Sequence, residues 1–165
     1  MRKTFYLDDN SEQPVMAAGV IIYKIKKNIV SVLLSKNRNQ YEDLGGRVDL
    51  DDDTICETVV REAFEETNEI IDKKKLKKRL QTSIYFYNKK SKYVVYLVKA
   101  NNKEKKLKSN DFGNKEIHDN IDRTIKWIKI TKMLDTSKTK LNFRLLNKNL
   151  LDKLYLLQKE NNKID

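Results

Sequence analysis

One cysteine, one proline and four glycines are spread over 165 residues. A lone Cys56 cannot form a disulfide framework and points to a reducing compartment. With Pro14 as the only proline, no Pro/Gly linker divides the chain, and a single domain over residues 1–165 is expected. No apolar run approaches the roughly 18–20 residues of a membrane span. The start, MRKTFYLDDNSEQ, lacks the apolar stretch of a secretory signal. The expectation is a soluble, cytoplasmic protein with no membrane partner, long enough to bury a real core.

Charge is plentiful but uneven. The formal net charge is +11, and residues 71–108 hold 13 Lys and one Arg against only Asp72 and Glu104. The excess therefore sits in that segment, in KKKLKKR (73–79), KKSK (89–92) and KEKK (103–106), while the remainder is close to neutral. Such a segment is a candidate RNA-binding surface. Composition bias and the guarding of sheet edges by lysine account for it without any ligand, and are the reading favoured for a charge run.

Residues 15–25 and 28–36 are rich in β-branched side chains and read as two strands joined by a tight turn. NRNQYEDLGGRVDLDDD, with the sole Gly-Gly pair, reads as loop in large part. A helix is expected from about 55 to 67. Residues 80–88 and 92–100 form a second expected hairpin, and 101–115 a lysine-rich loop. RTIKWIKI (123–130) alternates as a half-buried strand, TKMLD adds a short helix, and residues 143–162 carry leucines at helical spacing. Strands mixed with two main helices imply an α/β domain, a sheet with helices on both faces.

The helix at 55–67 carries the chemistry. Thr54 followed by Glu57 is a capping-box arrangement, and Asp51, Asp52 and Asp53 suit the positive end of the dipole. Cys56, Val59, Val60, Ala63, Phe64 and Thr67 fall on one arc, which should face the core, with Cys56 as a small hydrophobe. Glu62, Glu65, Glu66 and Glu69 gather opposite, with Thr58, and Arg61 at the border reaches Glu65. Like charges one turn apart repel, so a cation is the natural compensation. Oxygen ligands at these spacings match Mg²⁺ or Mn²⁺; an ordinary solvated acidic face is the alternative. Asn68 stands where the helix should stop in a left-handed conformation, so glycine there should be neutral or slightly stabilising.

GGRVDLDDDTICETVVREAFEETN resembles the Nudix box, G-x5-E-x7-R-E-U-x-E-E-x-G-U with U aliphatic. Arg61, Glu62, Ala63, Glu65 and Glu66 match its R-E-U-x-E-E part. Asp53 takes the place of the first Glu, Asn68 replaces the last Gly, and Gly46 lies one residue further upstream than in the pattern. The resemblance implies a Nudix-type α/β/α sandwich with a mixed sheet. It also implies a hydrolase that cleaves a nucleoside diphosphate linked to another group, by water attack on phosphorus. Glu62, Glu65, Glu66 and the Gly46 carbonyl would hold Mg²⁺ or Mn²⁺, Arg61 would fix the glutamates, and Asp53 would brace the loop. Glu116 is a candidate late-chain acid, as metal ligand or base.

Other residues carry weaker signals. Lys36, Arg38 and Arg47 flank the expected mouth and are candidates to hold phosphates, against ordinary solvation. His118 is the only histidine, in a polar loop, with catalysis or base stacking weighed against no role. Tyr85, Phe86 and Tyr87 favour core packing over base stacking. Three functions compete: hydrolysis of a small nucleotide, hydrolysis of capped RNA or an inositol pyrophosphate using segment 73–108, and a non-catalytic nucleotide- or RNA-binding module. The full set of glutamates speaks against the last.

Overall fold

The computed structural model describes residues 3–7 and 12–162. The strands are β1 (Phe5–Tyr6), β2 (Pro14–Val15), β3 (Ala17–Lys26), β4 (Ile29–Asn37), β5 (Gln40–Glu42) and β6 (Leu44–Arg47), followed by β7 (Ile84–Asn88) and β8 (Tyr93–Lys99). Two short strands, β9 (Lys115–Glu116) and β10 (Ile121–Asp122), precede β11 (Thr124–Lys129). The helices are α1 (Ile55–Glu66), α2 (Lys73–Leu80), α3 (Ile130–Met133) and α4 (Lys148–Asn161). The main sheet runs β11-β4-β3-β8-β7, with β5 paired to β4 and β6 to β3. It is mixed: β3 and β8 are parallel, and the other pairs are antiparallel.

Period-two alternation divides the core. Val20 and Ile22 of β3, and Val94, Tyr96 and Val98 of β8, point to one face, where Val59, Val60 and Ala63 of α1 and Leu76 and Leu80 of α2 cover them. Ile21, Val95 and Leu97 point to the other face and pack on Met133 of α3 and Leu150 and Leu154 of α4. The result is an α/β/α sandwich, as the sequence predicts. Tyr87 packs on the first layer and Phe86 on the second, while Tyr85 is half exposed beside Tyr96. Cys56 also joins the first layer.

Both early turns use pairs of left-handed residues, Lys27-Asn28 and Arg38-Asn39, the tight type that suits the twist of a hairpin. The stretch read as loop holds β5 and β6, and the Gly-Gly pair lies inside β6. Gly45 sits opposite Gly19 of β3, and a Cβ on either would collide with the Tyr93 hydroxyl. The glycines serve close packing rather than a turn.

A further departure is α2, which sequence patterning treats only as a lysine run. Asp72 Oδ1 accepts from the Lys75 amide at 2.9 Å and caps it, and Leu76 and Leu80 anchor it. With six basic residues among its eight, the two leucines at i and i+4 pass for interruptions of a charge run. The last helix is also shorter than expected: a 3-10 turn at Phe143–Leu145 precedes α4, whose N-cap is Asn147. Among the described residues, no helix is long and apolar enough to cross a membrane.

Candidate active site

Arg61 is the hub of the acidic helix. Its Nε and Nη2 donate to the two oxygens of Asp52 at 3.0 and 2.9 Å, and Nη2 also donates to the Arg47 carbonyl at 2.8 Å. Nη1 donates to Glu62 Oε1 at 2.8 Å and Glu65 Oε2 at 3.2 Å. One guanidinium thus ties the Gly-Gly strand, the loop before α1 and two glutamates together, using its planar fork of donors.

The brace expected of Asp53 is made by Asp52. Asp52 is buried, accepts from Thr58 Oγ1 and the Asp49 amide at 2.8 Å each, and takes the bidentate pair from Arg61. Burial alone would raise its pKa, but Arg61, the Asp49 amide and Thr58 outweigh burial and hold it below the usual carboxylate value. Asp53 is exposed, and its amide donates to Glu57 Oε2 at 2.8 Å. Thr54 takes the N-cap and Asp53 lies outside the helix, while Arg61 bonds to Asp52 one residue earlier; the extra loop residue shifts the bracing acid back by one.

Glu62, Glu66 and Glu116 line one cavity of about 300 Å³ with Gly45, Gly46, Arg47, Ser35, Asn37, Glu42, Asp119 and Arg123. Gly46 lies against the Glu62 carboxylate so closely that any Cβ there would overlap it. Glu66 Oε1 accepts from the Gly45 amide at 3.3 Å, while its Oε2 is buried with no partner among the described residues. Burial pushes the Glu62 carboxyl up to about 7 against the pull of Arg61, with Glu65 and Glu116 adding to the rise. Burial also raises Glu66 well above the ordinary range; Arg144 opposes this, and Asp43, Glu62 and Glu116 reinforce it. Glu116 is raised by burial and by Asp119, against Arg123 and His118.

Carboxylates gathered this way either take up protons or need a cation to stay ionised. A donor set of hard oxygens and an orphaned buried carboxylate oxygen fit a divalent cation such as Mg²⁺ or Mn²⁺. Among the described residues no three such side chains are grouped to hold a metal ion, and Arg61 takes one oxygen each from Glu62 and Glu65.

The remaining candidates separate. Arg47 borders the acidic cavity; Lys36 lies 5.6 Å over the Tyr41 ring, and Arg38 is exposed on its turn, and neither lines the cavity. His118 Nε2 sits 3.9 Å from Glu65 Oε1, with its side chain 60% exposed. Lys73 lies over Phe64, Lys77 pairs with Glu57, and Arg79 pairs with Glu104, so part of the lysine segment serves the fold.

A second buried network has no signature in the sequence. Tyr93 Oη donates to Asp43 Oδ2 at 2.6 Å, and Arg144 Nε donates to Asp43 Oδ1 at 2.8 Å. Arg144 Nη2 adds the carbonyls of Asp43 and Gly45 at 3.2 and 3.1 Å. These partners lie 50 and 101 residues from Asp43, beyond any local pattern. Arg123 was legible: it shares the parity of Ile125 and Trp127, which face α1.

The NUDIX domain profile matches residues 13–148, and the chain belongs to the Nudix family. The family assignment makes the chain a hydrolase of phosphoric anhydride bonds, of a family that generally uses divalent metals. No curated protein matches the chain at the sequence level. Among solved structures, it is similar to a bifunctional NMN adenylyltransferase/ADP-ribose pyrophosphatase from Francisella tularensis, complexed with AMP and a Mn ion. That match has 15% identity and a TM-score of 0.52, covering 90% of this chain and 42% of that one. A C. elegans Ap4A hydrolase aligns at 20% identity and TM-score 0.46, over 88% of this chain and 94% of its own. The NUDIX domain of Shewanella oneidensis NrtR, complexed with ADP ribose, aligns at 17% identity and TM-score 0.49, over 90% and 92%.

Proposed function

We propose that the protein is a Mg²⁺- or Mn²⁺-dependent pyrophosphohydrolase of a small nucleotide, a nucleoside diphosphate linked to a second group. The observation that carries this reading is the unpartnered Oε2 of Glu66, buried in a cavity shared with Glu62 and Glu116. In this reading Glu62, Glu65, Glu66, Glu116 and the Gly46 carbonyl hold the metal. A bound divalent ion supplies neutralisation of the diphosphate and a water of lowered pKa. Arg61 fixes the direction of Glu62 and Glu65, Asp52 fixes Arg61, and Arg47 faces the phosphates.

A second cavity, of about 470 Å³, shares Gly46 and Arg47 with the acidic one. Tyr93, Met16, Phe143, Arg144 and Ser91 are among its lining residues. Phe143 is 63% exposed and offers a stacking face, and Ser91 Oγ is buried without a partner among the described residues. A pocket that joins Met16, Val48, Tyr93 and Phe143 to the cations Lys3, Arg47 and Arg144 suits a nucleotide, whose diphosphate then reaches across Gly46 to the carboxylates. The turn at Lys89–Lys92 borders this pocket through Ser91, which supports capped RNA or an inositol pyrophosphate as the second reading.

The test is a panel of ADP-ribose, a dinucleoside polyphosphate, capped RNA and an inositol pyrophosphate, incubated with Mg²⁺ or Mn²⁺ and resolved by chromatography. Cleavage of a small nucleotide at its anhydride bond, abolished by a chelator, is expected. Preferential cleavage of capped RNA or the inositol pyrophosphate would move the assignment to the second reading.

A further inference from the structure

Asn68 follows the acidic helix in a left-handed conformation, φ 51°, and its amide donates to the Glu65 carbonyl at 3.0 Å. Glycine would satisfy everything the backbone asks of that position. The carboxamide does more. Its Nδ2 donates to the carbonyls of Phe112 and Lys115 at 2.9 and 2.8 Å, and its Oδ1 accepts from the Ile117 amide at 2.9 Å. Both donor hydrogens and the acceptor are used, and every partner lies in one segment more than forty residues away in sequence. Gly113, at φ 67°, turns that segment around the carboxamide.

Glu116 sits between two of the clamped residues. Its neighbours Lys115 and Ile117 are exposed, yet Glu116 is 8% exposed and lines the cavity of Glu62 and Glu66. A carboxylate on a short surface segment, facing other carboxylates, would turn to water unless its backbone were held. Arg123 fastens the same two pieces from the other side: Nε and Nη2 donate to the Glu66 carbonyl at 3.0 and 2.6 Å, and Nη1 to the Gly113 carbonyl at 2.8 Å.

We infer that Asn68 is a positioning residue: its three side-chain hydrogen bonds fix the 112–117 segment to the end of α1 and hold the Glu116 carboxylate in the acidic cavity. The inference rests on the reading of that cavity as a divalent-cation site. Asn68→Gly keeps the left-handed backbone and releases the clamp. Asn68→Asp tolerates the same backbone and keeps the acceptor but loses both donors.

The experiment is a Mn²⁺ titration of the full chain, without substrate, followed by electron paramagnetic resonance. The proteins are wild type, Asn68→Gly, Asn68→Asp, Glu116→Gln and each Asn68 variant combined with Glu116→Gln. Each single variant should weaken Mn²⁺ binding by about 10- to 100-fold, as loss of support for a ligand does. The double variants should bind no more weakly than Glu116→Gln alone, because Asn68 acts through Glu116. Wild-type affinity in both Asn68 variants would overturn the inference, as would losses that multiply in the doubles. A wild-type protein that binds no Mn²⁺ would overturn the cation reading itself, and this inference with it.

Discussion

At Glu66 one carboxylate oxygen meets the Gly45 amide and the other is buried without a partner among the described residues. A residue placed this way costs stability and is retained for what it binds. Glu66→Gln should therefore lower turnover by on the order of 100-fold while leaving the melting temperature in chelator unchanged or raised. Turnover near wild type would remove Glu66 from the site. Asp52 has the opposite character, since its ion pair with Arg61 is a structural tie. Its pKa is depressed in the folded protein, so its contribution is present above the ordinary aspartate value and lost as pH falls through the depressed one. Asp52→Asn should cost about 2 kcal/mol near neutrality, and the gap from wild type should close as urea melts are taken from pH 5 towards pH 2. A gap that stays constant would show that the charge on Asp52 is not what holds Arg61. Arg61, Glu62, Glu65 and Glu66 are legible in sequence because helical spacing alone brings them to one side. The choice of Asp52 over Asp53 is not, since three consecutive aspartates look alike until the loop's path selects one.

At the scale of elements, α1 and the strands announce themselves through periodicity and capping, whereas α2 does not. Its helicity comes from Asp72 at the N-cap and from two leucines docked under the sheet, not from propensity in a run of like charges. Leu76→Ala should cost about 2–5 kcal/mol in a denaturant melt, the usual range for a fully buried leucine. A loss below about 1 kcal/mol would mean that α2 is not anchored through its leucines. The Gly-Gly pair shows the same limit in reverse. Two glycines read locally as a turn, but the space they leave is filled by Tyr93 and Glu62 from elsewhere in the chain.

For the whole molecule, convergence of acids makes metal binding and folding linked quantities. A cation that binds only the folded state at one hundred times its Kd stabilises by about 2.7 kcal/mol. Thermal melts with Mn²⁺ or Mg²⁺ should accordingly shift upward and return on addition of chelator. An unmoved melting temperature at millimolar metal would contradict the cation site. Local repetition makes part of the molecule readable from the chain: the strand alternation, the amphipathic division of α1, the glutamate spacing and the match to the Nudix box. Which partners meet across long separations follows from the folded chain alone. Folding brought Glu116 into the cavity on a segment clamped by Asn68 and Arg123, set Asp43 between Tyr93 and Arg144, and joined two cavities at Gly46 and Arg47. The physical reason is that periodicity records which way a side chain faces, while its partner is fixed by chain crossings dozens of residues apart.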